Sequence, residues 1–268
     1  MIKSVCEIAT EASHAILTIY RKGDFDVNRK SDNSPITKAD LAANRIIADG
    51  LKQLTPDVPQ LSEEGKSIPY STRQNWGRYW LIDPLDGTRD FIAQTDSFSV
   101  NIALIENQQS ILGVIHLPVS NECFFAAHQY GAYKTQDDQA PTPIHTRLMK
   151  DHTPVIAVSG FREDSVLSRC LTQLPDYQLQ HMGSSIKSCR VAEGKVDWYP
   201  CLGPTSEWDT AAAQCIVEQA GGSITRLDGQ RLRYNTKESL RNPWFMVCGD
   251  PNFDWHQLVP SDCEQSVS

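Results

Sequence analysis

The sequence contains no C-x-x-C pair, no H-x-x-x-H spacing, no Gly-x-Ser-x-Gly elbow, and neither a dinucleotide nor a P-loop glycine fingerprint. Those absences exclude zinc ribbons, metalloproteases of the two-histidine helix type, elbow-type serine hydrolases and the two commonest glycine-rich phosphate cradles. No stretch approaches the roughly 18 consecutive apolar residues of a membrane span. The opening segment Met1–Arg21 carries Glu7, Glu11 and His14 inside its apolar pattern, unlike the basic start and continuous apolar run of a signal peptide. The eight cysteines (Cys6, Cys123, Cys170, Cys189, Cys201, Cys215, Cys248 and Cys263) are scattered, which fits a reducing cytoplasm better than a disulfide framework. Peripheral contact with the inner membrane stays open on these grounds, as does oligomeric state. Positive charge is also scarce: 25 Lys and Arg stand against 33 Asp and Glu, a formal net charge of -8. That is the wrong sign for binding nucleic-acid backbones over a broad surface, but it permits a small anionic ligand held by a metal ion.

What is present is ordinary globular composition, 40 % apolar and 22 % charged, with 15 Gly and 15 Pro in 268 residues. At roughly 100–200 residues per domain this length predicts one large domain or two compact ones. Val5, Ala9, Ala12, Ile16 and Tyr20 keep helical spacing and Gly23 follows, so the chain opens on an amphipathic helix. Lys30–Pro35 reads as a polar turn. A second helix starts at Thr37, with Asp40 completing a capping box and Ala43, Ile47, Leu51 and Leu54 supplying its stripe before Pro56. From Tyr79 the period changes to that of strands: Tyr79–Ile82, a one-sided alternation of Phe98, Val100, Ile102 and Leu104, then Ile111–Ile115 and Cys123–Ala127. Gln136–Pro143 is the most linker-like stretch and places a boundary near residue 150, giving parts 1–150 and 151–268. Beyond it the pattern predicts strands at Val155–Ser159 and Tyr177–Met182, a helix over Ser185–Glu193 closed by Gly194, and a long helix from Trp208 to Gly221. Asp228-Gly229 then signals a hairpin. The whole points to layered α and β structure.

With histidine and cysteine sites excluded, oxygen-ligand metal chemistry is what remains. Asp83-Pro84-Leu85-Asp86-Gly87-Thr88 follows a strand directly, and its two carboxylates with the Leu85 carbonyl suit a hard cation such as Mg²⁺. The same segment is also good turn chemistry. Glu63 in Leu61-Ser62-Glu63-Glu64 is a further candidate ligand, or a solvated surface acid. Asp40 and Asp209 each sit where a helix start alone would explain an acid. Gly183-Ser184-Ser185 opens a helix with unpaired N–H groups that suit a phosphate, and Lys187 on its first turn adds a compact positive charge.

Taken in order, Ser34-Pro35-Ile36-Thr37-Lys38-Ala39-Asp40, Leu61-Ser62-Glu63-Glu64, Trp80-Leu81-Ile82-Asp83-Pro84-Leu85-Asp86-Gly87-Thr88 and Trp208-Asp209-Thr210-Ala211-Ala212 resemble the motif series of the inositol monophosphatase superfamily. Within it, Asp32-Asn33-Ser34-Pro35, Leu54–Pro59, Gly183–Lys187 and Gly203-Pro204-Thr205 look similar to the bacterial 3'(2'),5'-bisphosphate nucleotidases of sulfur assimilation. The resemblance implies an αβαβα sandwich of the sugar-phosphatase type and Mg²⁺-dependent release of the 3'-phosphate of adenosine 3',5'-bisphosphate, with two or more ions. It implies metal ligation by Glu63, Asp83, the Leu85 carbonyl, Asp86 and Asp209, and a catalytic group of Asp40, Glu63 and Thr88. The substrate would be met by these ligands together with Gly87, Thr88, Gly183, Ser184, Ser185 and Lys187. Trp198-Tyr199-Pro200-Cys201 offers no carboxylate where inositol-specific relatives carry one, and Lys187 suits a second phosphate. Two alternatives remain at this stage: another sugar phosphatase of the superfamily, and a non-catalytic module that binds a metal ion and an anion.

Overall fold

The computed structural model describes residues 1–30, 34–137, 139–150, 152–160 and 165–260. Helix α1 (Ile2–Tyr20) leads through a small antiparallel hairpin of β1 (Asn28–Arg29) and β2 (Pro35–Ile36) into α2 (Lys38–Leu54). Of the polar turn expected over Lys30–Pro35, residues 31–33 lie outside the described residues. The chain continues through β3 (Gln60–Ser62), α3 (Tyr70–Arg73), β4 (Arg78–Asp86), α4 (Thr88–Ala93), β5 (Ser99–Glu106) and β6 (Gln109–Leu117). After β7 (Glu122–Ala127) and β8 (Gly131–Gln136), β9 (Thr142–Pro143) completes a seven-stranded sheet in the order β3-β4-β5-β6-β7-β8-β9. Only the β3–β4 pair in it is parallel.

A second sheet begins at β10 (Val155–Val158), followed by α5 (Ser165–Leu171), β11 (Gln178–His181), α6 (Ile186–Ala192) and β12 (Trp198–Cys201). Helix α7 (Glu207–Gln219), β13 (Ser223–Arg226) and β14 (Phe245–Cys248) complete it, with strand order β11-β10-β12-β14-β13. Thr225 bridges Arg231 across the expected Asp228-Gly229 turn.

Alternation of side chains in the two sheets builds five layers. On β4, Trp80 and Ile82 face α1 and α2, while Tyr79 and Leu81 face the opposite way, into a core shared with α6, α7 and the second sheet. On β10, Val155 and Ala157 join that same shared core, and Ile156 and Val158 pack with Cys170 and Leu171 of α5 and with Trp255 on the far side. The order is therefore helices, sheet, helices, sheet, helix, the αβαβα arrangement that the family resemblance implies. The structure corrects one expectation: the strand carrying Phe98, Val100, Ile102 and Leu104 is not one-sided. Every residue of β5 up to Ile105 is buried, because Ala103 and Ile105 contribute to the shared core and Ser99 and Asn101 hydrogen-bond beneath a cavity. Small and polar residues on that face imitate a solvent side in sequence although α7 covers it.

The helix starts obey simple capping rules. At α2 the Thr37 hydroxyl accepts from Ala39 N–H at 3.1 Å and Asp40 Oδ2 accepts from Thr37 N–H at 2.7 Å, each satisfying a donor that a helix start would leave orphaned. At α7, Asp209 Oδ2 does the same for Ser206 N–H at 2.8 Å. Among the described residues no helix is long and apolar enough to cross a membrane, and the seven cysteines there are all free thiols. The eighth, Cys263, lies outside the described residues.

Candidate active site

The ends of β3 and β4, the start of α4, the turn before α6 and the start of α7 converge on one cavity of about 920 Å³. Pairing of β4 with β5 slips between Asp83 and Asp86: Asp83 faces Asn101 and Asp86 faces Ser99, so three steps on one strand oppose two on the other. In a regular strand, residues three apart point to opposite faces; the extra residue of a bulge resets the alternation and brings both aspartates to the same side. Pro84, which lacks an N–H, sits inside the bulge where no ladder bond is required of it. Gly87 then turns the chain into α4 with φ +93°. A Cβ there would lie 2.8 Å from the Ser97 carbonyl oxygen and 3.3 Å from Ser184 Cβ, so both the backbone angle and the close approach require glycine.

Glu63, Asp83 and Asp209 bring carboxylate oxygens within 4.8 Å of one another. Asp86 adjoins them, with Oδ2 accepting from Ser185 N–H at 2.7 Å and the Ser185 hydroxyl at 2.9 Å, and from Asn101 Nδ2 at 3.4 Å. Burial, followed by repulsion from Glu63, Asp86 and Asp209, raises the pKa of Asp83 well above the carboxylate range. Asp209 is raised by burial and then by Asp86. Burial raises Asp86 too, against the opposing pull of the Lys187 charge and the Ser185 hydrogen bonds. Four crowded acids whose mutual repulsion adds to the rise of Asp83 and Asp209 are a site short of positive charge. The set offers only oxygen donors, and that chemistry fits a hard divalent cation.

Asp40 divides its two oxygens between the two roles the sequence leaves open. Its Oδ2 caps α2, and its Oδ1 lies 3.1 Å from the Thr88 hydroxyl. The same hydroxyl is 3.3 Å from the Leu85 carbonyl oxygen. Burial raises the pKa of Asp40, and hydrogen bonds from Thr37 and Thr88 restrain the rise. Glu63, Asp86, Gly87, Thr88, Ser184, Ser185, Lys187 and Asp209 line the cavity, whereas Asp40, Asp83 and Leu85 are buried behind it. Gly183 lies back against Ser97 and Asp90.

Two features fall outside the sequence reading. Lys30, directly after β1 in the first hairpin, reaches Glu63 Oε1 at 2.7 Å and Glu64 Oε1 at 2.5 Å. Burial pulls against its ammonium, yet the Glu63 and Glu64 carboxylates outweigh it and hold the pKa up at about 12. No periodicity or motif spacing marks a lysine in a polar turn for this task. Lys187 lines the cavity, is only 4 % exposed, and donates to the Ser184 carbonyl at 2.8 Å and the Met182 carbonyl at 3.4 Å. Its ammonium also sits 5.0 Å from the centre of the Tyr199 ring. Burial lowers its pKa, with Asp86 the main opposing charge. Ser185 is likewise committed, orienting Asp86 rather than opening toward solvent.

Comparison with known proteins identifies the family and the fold. The inositol monophosphatase family matches residues 1–249. A curated relative, the 3'(2'),5'-bisphosphate nucleotidase CysQ of Escherichia coli K12, is 42 % identical over 248 residues, 92 % of this chain and 99 % of the relative. The protein of the same name from Aggregatibacter actinomycetemcomitans is 38 % identical over 263 residues, 98 % of this chain and 97 % of its own. The crystal structure of CysQ from Bacteroides thetaiotaomicron, a bacterial member of the inositol monophosphatase family, superposes with TM-score 0.81 at 37 % identity, covering 92 % of this chain and 96 % of that one.

Proposed function

The chain belongs to the inositol monophosphatase family, and from that premise we propose that it is a 3'(2'),5'-bisphosphate nucleotidase, releasing the 3'-phosphate of adenosine 3',5'-bisphosphate to leave AMP. Enzymes of this family are metal-dependent. The observation that carries the reading is the joint presence of the acidic cluster of Glu63, Asp83 and Asp209 and the Thr88–Asp40 pair at one cavity. The first supplies charge for a cation; the second supplies a directed hydrogen bond for a nucleophile.

Glu63, Asp83, the Leu85 carbonyl, Asp86 and Asp209 are the groups that would hold Mg²⁺, in two or more ions. Bound there, Mg²⁺ supplies charge neutralisation of the phosphate oxygens and a lowered pKa for water. The remaining work belongs to the chain. Thr88 has one hydroxyl proton, and donating it to Asp40 Oδ1 leaves its oxygen lone pairs free to accept from the attacking water. Asp40, kept weakly acidic by burial, is the group toward which the proton is drawn. Thr37 holds the second Asp40 oxygen through its N–H at 2.7 Å and its hydroxyl at 2.6 Å, so the carboxylate cannot rotate away. Ser185 and Asn101 fix Asp86 in the same manner. Phosphoryl transfer relies chiefly on positioning and charge neutralisation, and these carboxylates, each held by several hydrogen bonds, are built for positioning.

Phosphate release from adenosine 3',5'-bisphosphate, with inositol 1-phosphate and AMP in parallel, each with Mg²⁺ and with excess chelator, tests the reading. Metal-dependent release mainly from the bisphosphate supports it. Release mainly from inositol 1-phosphate would replace it with a sugar-phosphatase activity, and no release from any substrate would favour a binding module.

A further inference from the structure

Between α4 and β5 the chain passes through the turn Gln94–Ser97, which does not line the cavity, and two of its residues are left-handed without being glycine: Gln94 at φ +55° and Asp96 at φ +61°. A side chain makes that backbone costly, and it persists where neighbours hold it. At Asp96 the holder is Tyr20, the last residue of α1. Its hydroxyl donates to Asp96 Oδ1 at 2.7 Å and accepts from Asp96 N–H at 3.3 Å. The Tyr20 ring packs on Phe91 and Phe98, with ring centres 5.1 and 4.9 Å away, so the hydroxyl stands on a fixed base. Burial, followed by the hydrogen bond to Asp96, pushes that hydroxyl up to about 12, and it keeps its proton at neutral pH. Thr95 ties the near side of the turn to α4, donating its hydroxyl to Asp90 Oδ1 at 2.8 Å and its N–H to the Asp90 carbonyl at 3.1 Å.

The next residue shows what the turn is held for. The Ser97 carbonyl oxygen is wedged between two glycines: a Cβ at Gly87 or at Gly183 would lie 2.8 Å from it. Gly87 opens α4 and sets Thr88, whereas Gly183 begins the turn before α6 whose Ser185 holds Asp86. One oxygen thus spaces the turn that presents the Thr88 hydroxyl from the turn that fixes Asp86. We propose that Tyr20 and Asp96 are positioning residues for the reaction: by holding the left-handed Asp96, the pair fixes the Ser97 carbonyl and, through it, the relative placement of the Thr88 and Ser185 turns. This rests on the phosphatase reading above. Neither residue lines the cavity, so the pair acts on the geometry of the site and not on substrate directly.

The test measures kcat and KM on adenosine 3',5'-bisphosphate at saturating Mg²⁺, well below the melting temperature of every variant. Tyr20→Phe keeps the ring among its aromatic neighbours and removes only the hydroxyl. Its kcat is expected to fall about fivefold, with KM within about twofold of wild type. Asp96→Ala loses the acceptor and keeps the strained backbone, so it should lose as much. Asp96→Asn tolerates the left-handed region and keeps an acceptor oxygen, and should retain about half of kcat or more. Tyr20→Phe combined with Asp96→Ala should cost little more than either alone, because both break one link. Wild-type kcat in Tyr20→Phe, even with a lowered Tm, would show that the hydroxyl only stabilises the fold, and losses that multiply would show that the two residues act separately; either result overturns the pair. The wild-type arm separates the two layers of inference. If wild type acts on inositol 1-phosphate instead, the nucleotidase reading fails and the same variants judge the pair on that substrate, whereas no release from either overturns both.

Discussion

The Thr88 hydroxyl lies 3.1 Å from Asp40 Oδ1, tying the residue that opens α4 to an acid that caps α2, 48 positions earlier in the chain. One side chain thus serves helix capping and candidate chemistry at once, through different oxygens. Thr88→Val keeps the branched shape and removes the hydroxyl. Turnover should fall about 100-fold or more, the range of a lost general acid–base contact. Stability should fall by only about 1 kcal/mol, the worth of one hydrogen bond. Initial rates of phosphate release beside a thermal melt read both quantities, and wild-type turnover in Thr88→Val would remove the hydroxyl from the reaction.

Asp83 supplies the second prediction. Burial of its carboxylate, followed by repulsion from Glu63, Asp86, Asp209 and Asp40, raises its pKa well above normal. The hydrogen bond from Leu85 N–H to its Oδ1, at 3.1 Å, is one that asparagine can also accept. Asp83→Asn relieves repulsion without losing that bond. In chelator the variant should melt at or above the wild type, by up to about 3 °C for each kcal/mol gained. Saturating Mg²⁺ stabilises whichever protein binds it, so its shift of the variant should be less than half of the wild-type shift, with turnover lost. Equal Mg²⁺ shifts in the two proteins would show that Asp83 is not a ligand.

How far the sequence reveals this arrangement depends on how local the signal is. The capping box of Thr37 and Asp40 and the stripe Ala43, Ile47, Leu51 are local, and α2 begins and ends where they place it. The strands Trp198–Cys201 and Phe245–Cys248 are buried on both faces and only four residues long, so they carry no alternation to read. The acids of the site are visible as residue types, but their convergence depends on the bulge between Asp83 and Asp86 and on the packing of α7, both long-range facts. Lys187 shows the limit most clearly. A lysine on a first helical turn reads as a charge beside a phosphate site, and nothing in the sequence shows that the Met182 and Ser184 carbonyls lie within its reach.

His116 gives a dependence on pH away from the site. Its ring is buried between β6 and α1, Nδ1 has no hydrogen-bond partner, and burial, followed by the charge of His14, lowers its pKa to about 4. An unfolded chain protonates the same ring near pH 6.5. Between those values the unfolded state binds a proton that the folded state does not, so stability falls as pH drops below about 6.5 and levels off near 4. His116→Leu removes this contribution. Urea unfolding in chelator should show the variant gaining on the wild type by about 3 kcal/mol between pH 7 and pH 4. Parallel pH profiles would show that the ring is hydrated in the folded protein.

Gly113 connects the packing of the second layer to the chemistry. It lies on β6 opposite Ala103 and Ala126, with the backbone of α7 directly upon it. A Cβ at this position would sit 2.3 Å from the Ala212 carbonyl oxygen and 3.0 Å from Ala212 Cα. Those atoms belong to a helix backbone, so no side chain can rotate to make room and α7 itself must move. Overpacking of this kind costs about 1–3 kcal/mol. Asp209 is on the first turn of that helix, and its oxygen must stay within 4.8 Å of those of Glu63 and Asp83 for the three to act together. A misplacement of about 1 Å in a catalytic constellation can cost 100-fold in rate. Gly113→Ala should therefore keep its secondary structure by circular dichroism, melt about 5 °C lower, and lose about tenfold or more in kcat, with weaker Mg²⁺ activation, although residue 113 does not line the cavity. Full kcat and unaltered Mg²⁺ activation in a protein that melts lower would mean that α7 yields at its far end and leaves Asp209 in place.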